Sequence, residues 1–149
     1  LHRLLNLQVL PIINENDTIA TDEMIFGDND RLGAYVAHYF GAKLLVILSD
    51  IDGYFDKNPH QHTDAKIIPI VHSIPQEALQ ESHSPHAGFA TGGIVTKLLA
   101  ADFLLGHKGM MFLSNGRKLD VLRDFLLHHN HRCGTLFCPA EIQNIEGIL

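Results

Sequence analysis

LLVILSDIDG, Leu44 to Gly53, is the stretch whose reading decides the fold. After Lys43 the chain is apolar to Leu48, then empties into Ser49, Asp50 and Asp52 before a glycine. Continuous apolar runs of this length are strands buried on both faces, as in parallel sheets covered by helices. The pattern predicts a strand over Lys43 to Leu48, buried on both faces, with Ser49 and Asp50 at its carboxyl end. Ligands of open α/β sheets bind beyond the carboxyl ends of the strands, so these two residues are candidate ligand contacts.

Outward from that strand the chain alternates. Upstream, Leu1, Leu4 and Leu5 form an apolar stripe that stops at Pro11, which reads as the last turns of a helix whose beginning is missing. Val9 to Ile13 has the length of a buried strand and runs into Asn14, Glu15, Asn16 and Asp17, more polar residues than a turn requires. Asp28 or Asn29 can cap a helix carrying Leu32, Tyr35, Val36, Tyr39 and Phe40 at helical spacing, with Gly41 as its stop. Downstream, residues 54–90 hold four of the 6 prolines and five of the 11 histidines. They predict a β-rich excursion at Lys66 to Val71 and a short helix at Gln76 to Gln80. Gly88 to Gly93 opens a helix through Leu105. A strand at Met110 to Leu113 ends in Ser114, Asn115 and Gly116, and a helix over Leu119 to His128 precedes a last strand at Thr135 to Phe137.

The order β-α-β-loop-α-β-α-β predicts an α/β fold, a three-layer α/β/α sandwich with a mostly parallel sheet, incomplete at its N-terminus. Four polar clusters then converge on one sheet edge: Asn14 to Asp17, Ser49 with Asp50, Ser114 to Gly116, and the helix start at Thr91 to Gly93.

Composition narrows the function. A chain of 149 residues with 46% hydrophobic content buries one core and reads as one domain. Its net charge of −6, with 11 Lys and Arg spread along the chain, leaves no basic stripe for nucleic acid. The apolar runs fall short of a membrane span, and the first residues lack the pattern of a signal peptide. Cys133 and Cys138 are too few for a disulfide framework, so a reducing cytoplasm is the expected setting. The histidines and cysteines from His128 to Cys138 are zinc-ligand types, but their spacing matches no zinc motif, and surface histidines are the plainer reading. No metal site is expected. Ser114 lacks the preceding glycine of a nucleophile elbow, and no catalytic triad stands out.

Two motifs carry chemistry. ATGGIVTK (Ala90 to Lys97) sets two glycines at a helix start, with Thr96 and Lys97 one turn on. Free backbone N–H groups beside a cation suit a triphosphate, although an ordinary glycine-rich helix entry has the same spacing. The run is neither a Walker loop nor a GxGxxG fingerprint. In GDND (Gly27 to Asp30), helix capping accounts for Asp28 but not equally well for Asp30.

In order and spacing, PIINENDTIATDE, FGDND, LLVILSDIDGYFDKNP, ATGGIVTK and CGTLF resemble the amino acid kinase family, over about Val9 to Phe137. Acetylglutamate, aspartate, carbamate and uridylate kinases share its fold and glycine-rich segment, and the paired NEND and GDND motifs look like the glutamate-specific version. The resemblance implies ATP-dependent phosphorylation of the γ-carboxylate of L-glutamate, with Mg²⁺. It implies that Asp17 and Asn29 hold glutamate, with Asn14 and Asp28 beside them, and that Asp30 organises the catalytic lysines. Ser49 and Asp50 match the adenine-nucleotide site. Thr91, Gly92, Gly93, Ile94, Val95, Thr96 and Lys97 match the ATP segment, Lys97 being the catalytic lysine that stabilises the transferring phosphoryl group. Departures are Ser49 for threonine, Ala90 for glycine and Ile94 for methionine, none removing a charge.

The family's first strand, with a lysine and a glycine-rich loop, is absent, as is the C-terminal RNA-modification-type domain of longer members. Residues 1–149 therefore read as the C-terminal portion of the kinase domain, expected to be inactive alone. The same resemblance implies a homo-oligomer, dimer or tetramer, and functional coupling to glutamyl phosphate reductase. The competing readings are an acetylglutamate kinase-like enzyme and an ATP-binding module without catalysis.

Overall fold

The computed structural model describes residues 1–14, 29–80 and 93–142. Glu15, Asn16, Asp17, Asp28, Ala90, Thr91 and Gly92, all drawn into the sequence reading, lie outside the described residues. Among the described residues, nine elements follow in chain order. They are α1 (His2–Asn6), α2 (Asn29–Tyr39), β1 (Leu45–Ser49), β2 (Ile70–Val71), α3 (Gln76–Gln80), α4 (Gly93–Gly106), β3 (Met111–Asn115), α5 (Leu119–His128) and β4 (Thr135–Phe137).

The strands form one sheet in the order β1-β3-β4-β2. β1 pairs with β3 in parallel, with Leu45 opposite Met111 and Ser49 opposite Asn115. β2 and β4 are also parallel, while β3 and β4 run antiparallel. Residues of β3 alternate between two cores because successive side chains of a strand point to opposite faces. Met111 and Leu113 join Ala34, Ala37, Leu98, Ala101 and Leu104 beneath α2 and α4. Phe112 joins Val121, Phe125 and Leu136 beneath α5. The expected three layers are therefore present, with α2 and α4 on one face and α5 on the other. Phe112 and Phe125 are fully buried and stacked, with ring centroids 3.8 Å apart. Burying a side chain of this size contributes about 1.5–3 kcal/mol.

Helix ends follow local chemistry. α2 gives way to Gly41 at φ 68°, a left-handed conformation that glycine adopts without strain. α5 ends at His129, also left-handed at φ 53°, where a cap N–H reaches the carbonyl of Asp124. Arg132 folds back to pair with Asp124, and more loosely with Asp120 at 3.6 Å.

Two expectations fail. Val9 to Ile13 is not a strand: no described neighbour offers it a ladder, and Leu10 and Ile12 stand 84% and 92% exposed. A run of apolar residues becomes a strand only with a partner for its backbone. β1 is not buried on both faces either: Ile47 packs into the core with α2 and α4, whereas Leu48, on the opposite face, is 47% exposed. No helix among the described residues is long and apolar enough to cross a membrane.

Candidate active site

The site grows from the first turns of two helices. α4 begins at Gly93, so Thr96 and Lys97 fall three and four residues on, where side chains lie along the same face of a helix. Thr96 Oγ1 and Lys97 Nζ both donate to the Gly93 carbonyl, at 3.1 and 3.0 Å. Both also donate to Asp30 Oδ2, at 3.1 and 3.0 Å. Asp30 lies in the first turn of α2, whose positive end favours a carboxylate. The Lys97 and Asp30 side chains are only 13% and 20% exposed. A charge-assisted bond this sheltered from water fixes both groups more firmly than a surface pair. Asp30 thus anchors Lys97, a contact between two helices that capping of α2 alone does not explain.

The second part is the carboxyl end of β1. Ser49 Oγ donates to Asp50 Oδ1 at 3.0 Å. That hydrogen bond, a backbone hydrogen bond and the positive charges of Lys97 and Arg117 hold the Asp50 carboxyl below its ordinary range, against a smaller opposing effect of burial. Lys97 therefore stands within electrostatic reach of carboxylates from both α2 and β1. The turn after β3 closes the edge, where the Gly116 N–H donates to the Ser49 carbonyl at 2.8 Å.

Ile94 and Val95 point the other way. With Leu98 and Ala78 they line a cavity of about 330 Å³, closed opposite by the 54–62 loop, including Tyr54, Phe55, Asn58 and His62. Tyr54 is tied down through its N–H, which donates to Thr135 Oγ1 at 2.8 Å, and that hydroxyl donates to the Ile68 carbonyl at 2.8 Å. A cavity of this size, mixed in polarity, falls within the range of about 300–1,000 Å³ typical of small-molecule sites.

Hydrogen bonds thus bring together Asp30, Gly93, Thr96 and Lys97, while Ser49 and Asp50 are joined to each other at the end of β1. Asn14 and Asn29 are exposed, and no hydrogen bond or ion pair among the described residues joins them to this cluster. Among the described residues no three His, Cys, Asp or Glu side chains form a group able to hold a metal. His131 instead meets the Gly134 carbonyl at 3.1 Å, and His72 Nδ1 meets the Cys138 carbonyl at 2.9 Å. Sequence reasoning missed Asp52 and Lys118, whose side chains meet at 2.9 Å. The pair lowers the carboxyl of Asp52, with Asn115 helping and burial opposing, and raises the amine of Lys118. The repeated aspartates of SDID were the available signal, because one acidic residue at a strand end faces the ligand edge and two invite a partner.

Comparison with known proteins agrees with this geometry. The family model described as "Amino acid kinase family" matches residues 1–111. The chain is 75% identical over 146 residues to "Glutamate 5-kinase" of Helicobacter hepaticus, covering 98% of this chain and 55% of that protein. It is 58% identical over 138 residues to the protein of the same name from Wolinella succinogenes, covering 90% of this chain and 53% of the relative. The chain therefore spans about half the length of these curated relatives. Among solved structures, "Carbamate kinase from Giardia lamblia bound to AMP-PNP" superposes with a TM-score of 0.53 at 22% identity, over 75% of this chain and 32% of that one. That likeness concerns the fold. With a family model covering most of its length, and Lys97, Asp30 and Gly93 of the resemblance joined by hydrogen bonds, the chain belongs to the amino acid kinase family.

Proposed function

We propose that this chain is the nucleotide-binding part of an enzyme that phosphorylates the γ-carboxylate of L-glutamate with ATP, giving L-glutamyl 5-phosphate for proline biosynthesis. The observation that carries the reading is Lys97, held by Asp30 and the Gly93 carbonyl in the first turn of α4. The relatives named glutamate 5-kinase supply the substrate.

The chemistry suits these groups. A glutamate side chain with a pKa of about 4.3 is ionised at neutral pH, so its attack on phosphorus needs no general base. It needs positive charge where the transferring phosphoryl group develops negative charge. Lys97 supplies it from one side, and the free N–H groups at the start of α4 add to it. Asp30 keeps the ammonium in place, and the cavity beside Ile94 and Val95 takes the base of the nucleotide. Asp50, an exposed carboxylate, is the residue that would help hold Mg²⁺ together with the phosphates, and the ion would supply neutralisation of phosphate charge. Asp17, with Asn14, Asp28 and Asn29, binds glutamate in this reading, Asp17 pairing with the ammonium.

Acyl phosphates hydrolyse readily, so coupling to a glutamyl phosphate reductase in the cytoplasm belongs to the same reading. So does a homo-oligomer.

Calorimetric titration with MgATP tests the nucleotide half directly. The chain is expected to bind MgATP, and Lys97→Ala to weaken binding about tenfold or more, the worth of one charge-assisted contact. Equal affinity in the two proteins would remove Lys97 from the site.

A further inference from the structure

Asn115, the last residue of β3, uses both ends of its amide. Nδ2 donates to the Asp50 carbonyl at 3.3 Å and to Asp52 Oδ1 at 2.9 Å. Oδ1 accepts the Arg117 N–H at 2.9 Å. Lys118 Nζ completes the cluster by donating to Asp52 Oδ2 at 2.9 Å, and the Gly116 N–H reaches the Ser49 carbonyl at 2.8 Å. The turn from Ser49 to Asp52 is thus gripped by residues 115–118 from the neighbouring strand. Loops beyond strand ends are ordinarily the loosest part of a sheet. These bonds lie at partly exposed positions, where each adds little to stability, so their convergence on one turn bears on position more than on folding.

We propose that Asn115 is a positioning residue of the nucleotide site, holding the Ser49–Asp50 turn in the geometry that receives ATP. The proposal rests on the nucleotide reading given above. Without Asn115 the Asp50 carbonyl loses that donor, the Asp52 carboxylate is left with Lys118 among the described residues, and the turn samples other conformations. Apparent affinity then falls in proportion to the binding-competent fraction. Lys97, carried by α4 and Asp30, is untouched, so turnover of bound nucleotide is preserved.

Steady-state kinetics on a protein extended to the full length of its relatives tests this. Asn115→Ala is expected to raise KM for ATP roughly five- to twentyfold, the effect of one or two lost hydrogen bonds, with kcat and KM for glutamate within about twofold. Lys118→Met, which removes only the outer anchor, gives a smaller rise in the same constant. Exchanging the pair, Asn115→Asp with Asp52→Asn, rebuilds the bond between the two side chains with donor and acceptor reversed. It leaves a carboxylate facing the Asp50 carbonyl, so KM for ATP stays high. A purely structural role for the pair would be rescued by that exchange, and rescue overturns the proposal. Should Asn115→Ala not fold, Asn115→Ser and the exchanged pair carry the test. Asp50→Ala separates the two levels of inference. If it raises KM for ATP while Asn115→Ala does not, this proposal alone falls. If neither changes it, the nucleotide reading of the strand end falls as well.

Discussion

Lys97→Ala is expected to lower kcat for glutamate-dependent phosphoryl transfer by about a hundred- to a thousandfold, measured on a protein extended to the full length of its relatives. Removing one preorganised donor from a developing charge costs about 2.7–4 kcal/mol, which is that range in rate. The loss falls on kcat more than on KM for glutamate, because Lys97 meets the phosphates of ATP rather than glutamate, and the charge it meets grows further as the phosphoryl group transfers. Lys97→Arg retains the charge but not the compact ammonium that reaches both Asp30 and the Gly93 carbonyl, and should recover activity only in part. A kcat for Lys97→Ala within threefold of the parent would show that another cation does the work.

Gly134→Ala is the change expected to cost most in stability, about 2–5 kcal/mol. Gly134 adopts φ 90°, where a side chain is strained, and an added Cβ would lie 2.6 Å from Phe112 Cζ and 2.9 Å from the Leu113 carbonyl oxygen. Neither neighbour can yield. Phe112 is fully buried against Phe125, and the carbonyl belongs to the strand between β1 and β4. Thermal unfolding should register a fall in Tm of roughly 5–15 °C for a chain of this size. Gly106→Ala, where a Cβ meets nothing within 4 Å, serves as the control and should stay within about 2 °C of the parent. A stable Gly134→Ala protein would mean that the turn before β4 relaxes in a way this packing forbids.

Much of the fold was legible because local signals agreed with one another. Gly41 and Asn29 bracket α2, the apolar run to Leu48 marks β1, and helical spacing gives α5 its bounds of Leu119 and His128. Pairing was less legible. A three-residue strand such as Thr135–Phe137 carries no sign of its direction, and β4 lies antiparallel to β3. Val9–Ile13 has a strand's composition without a described partner, and the exposure of Leu48 depends on what covers its face of β1, which no local pattern encodes. In the site, Thr96 and Lys97 could be read together from helical spacing. Their bonds to Asp30, across 66 and 67 positions, came only with the packing of α2 on α4. Asn115 was visible as a polar residue at a strand end, but Asn-Gly after a strand reads as a turn, and its grip on Asp50 and Asp52 depends on the register of β1 with β3.

The most direct test of the account is trapping of acyl phosphate as the hydroxamate, with MgATP and either L-glutamate or N-acetyl-L-glutamate, by a protein extended to the full length of its relatives. Hydroxamate that depends on L-glutamate, forms in step with ADP and disappears in Lys97→Ala is the predicted result. Nucleotide binding without any glutamate-dependent product, or equal rates with N-acetyl-L-glutamate, would contradict it.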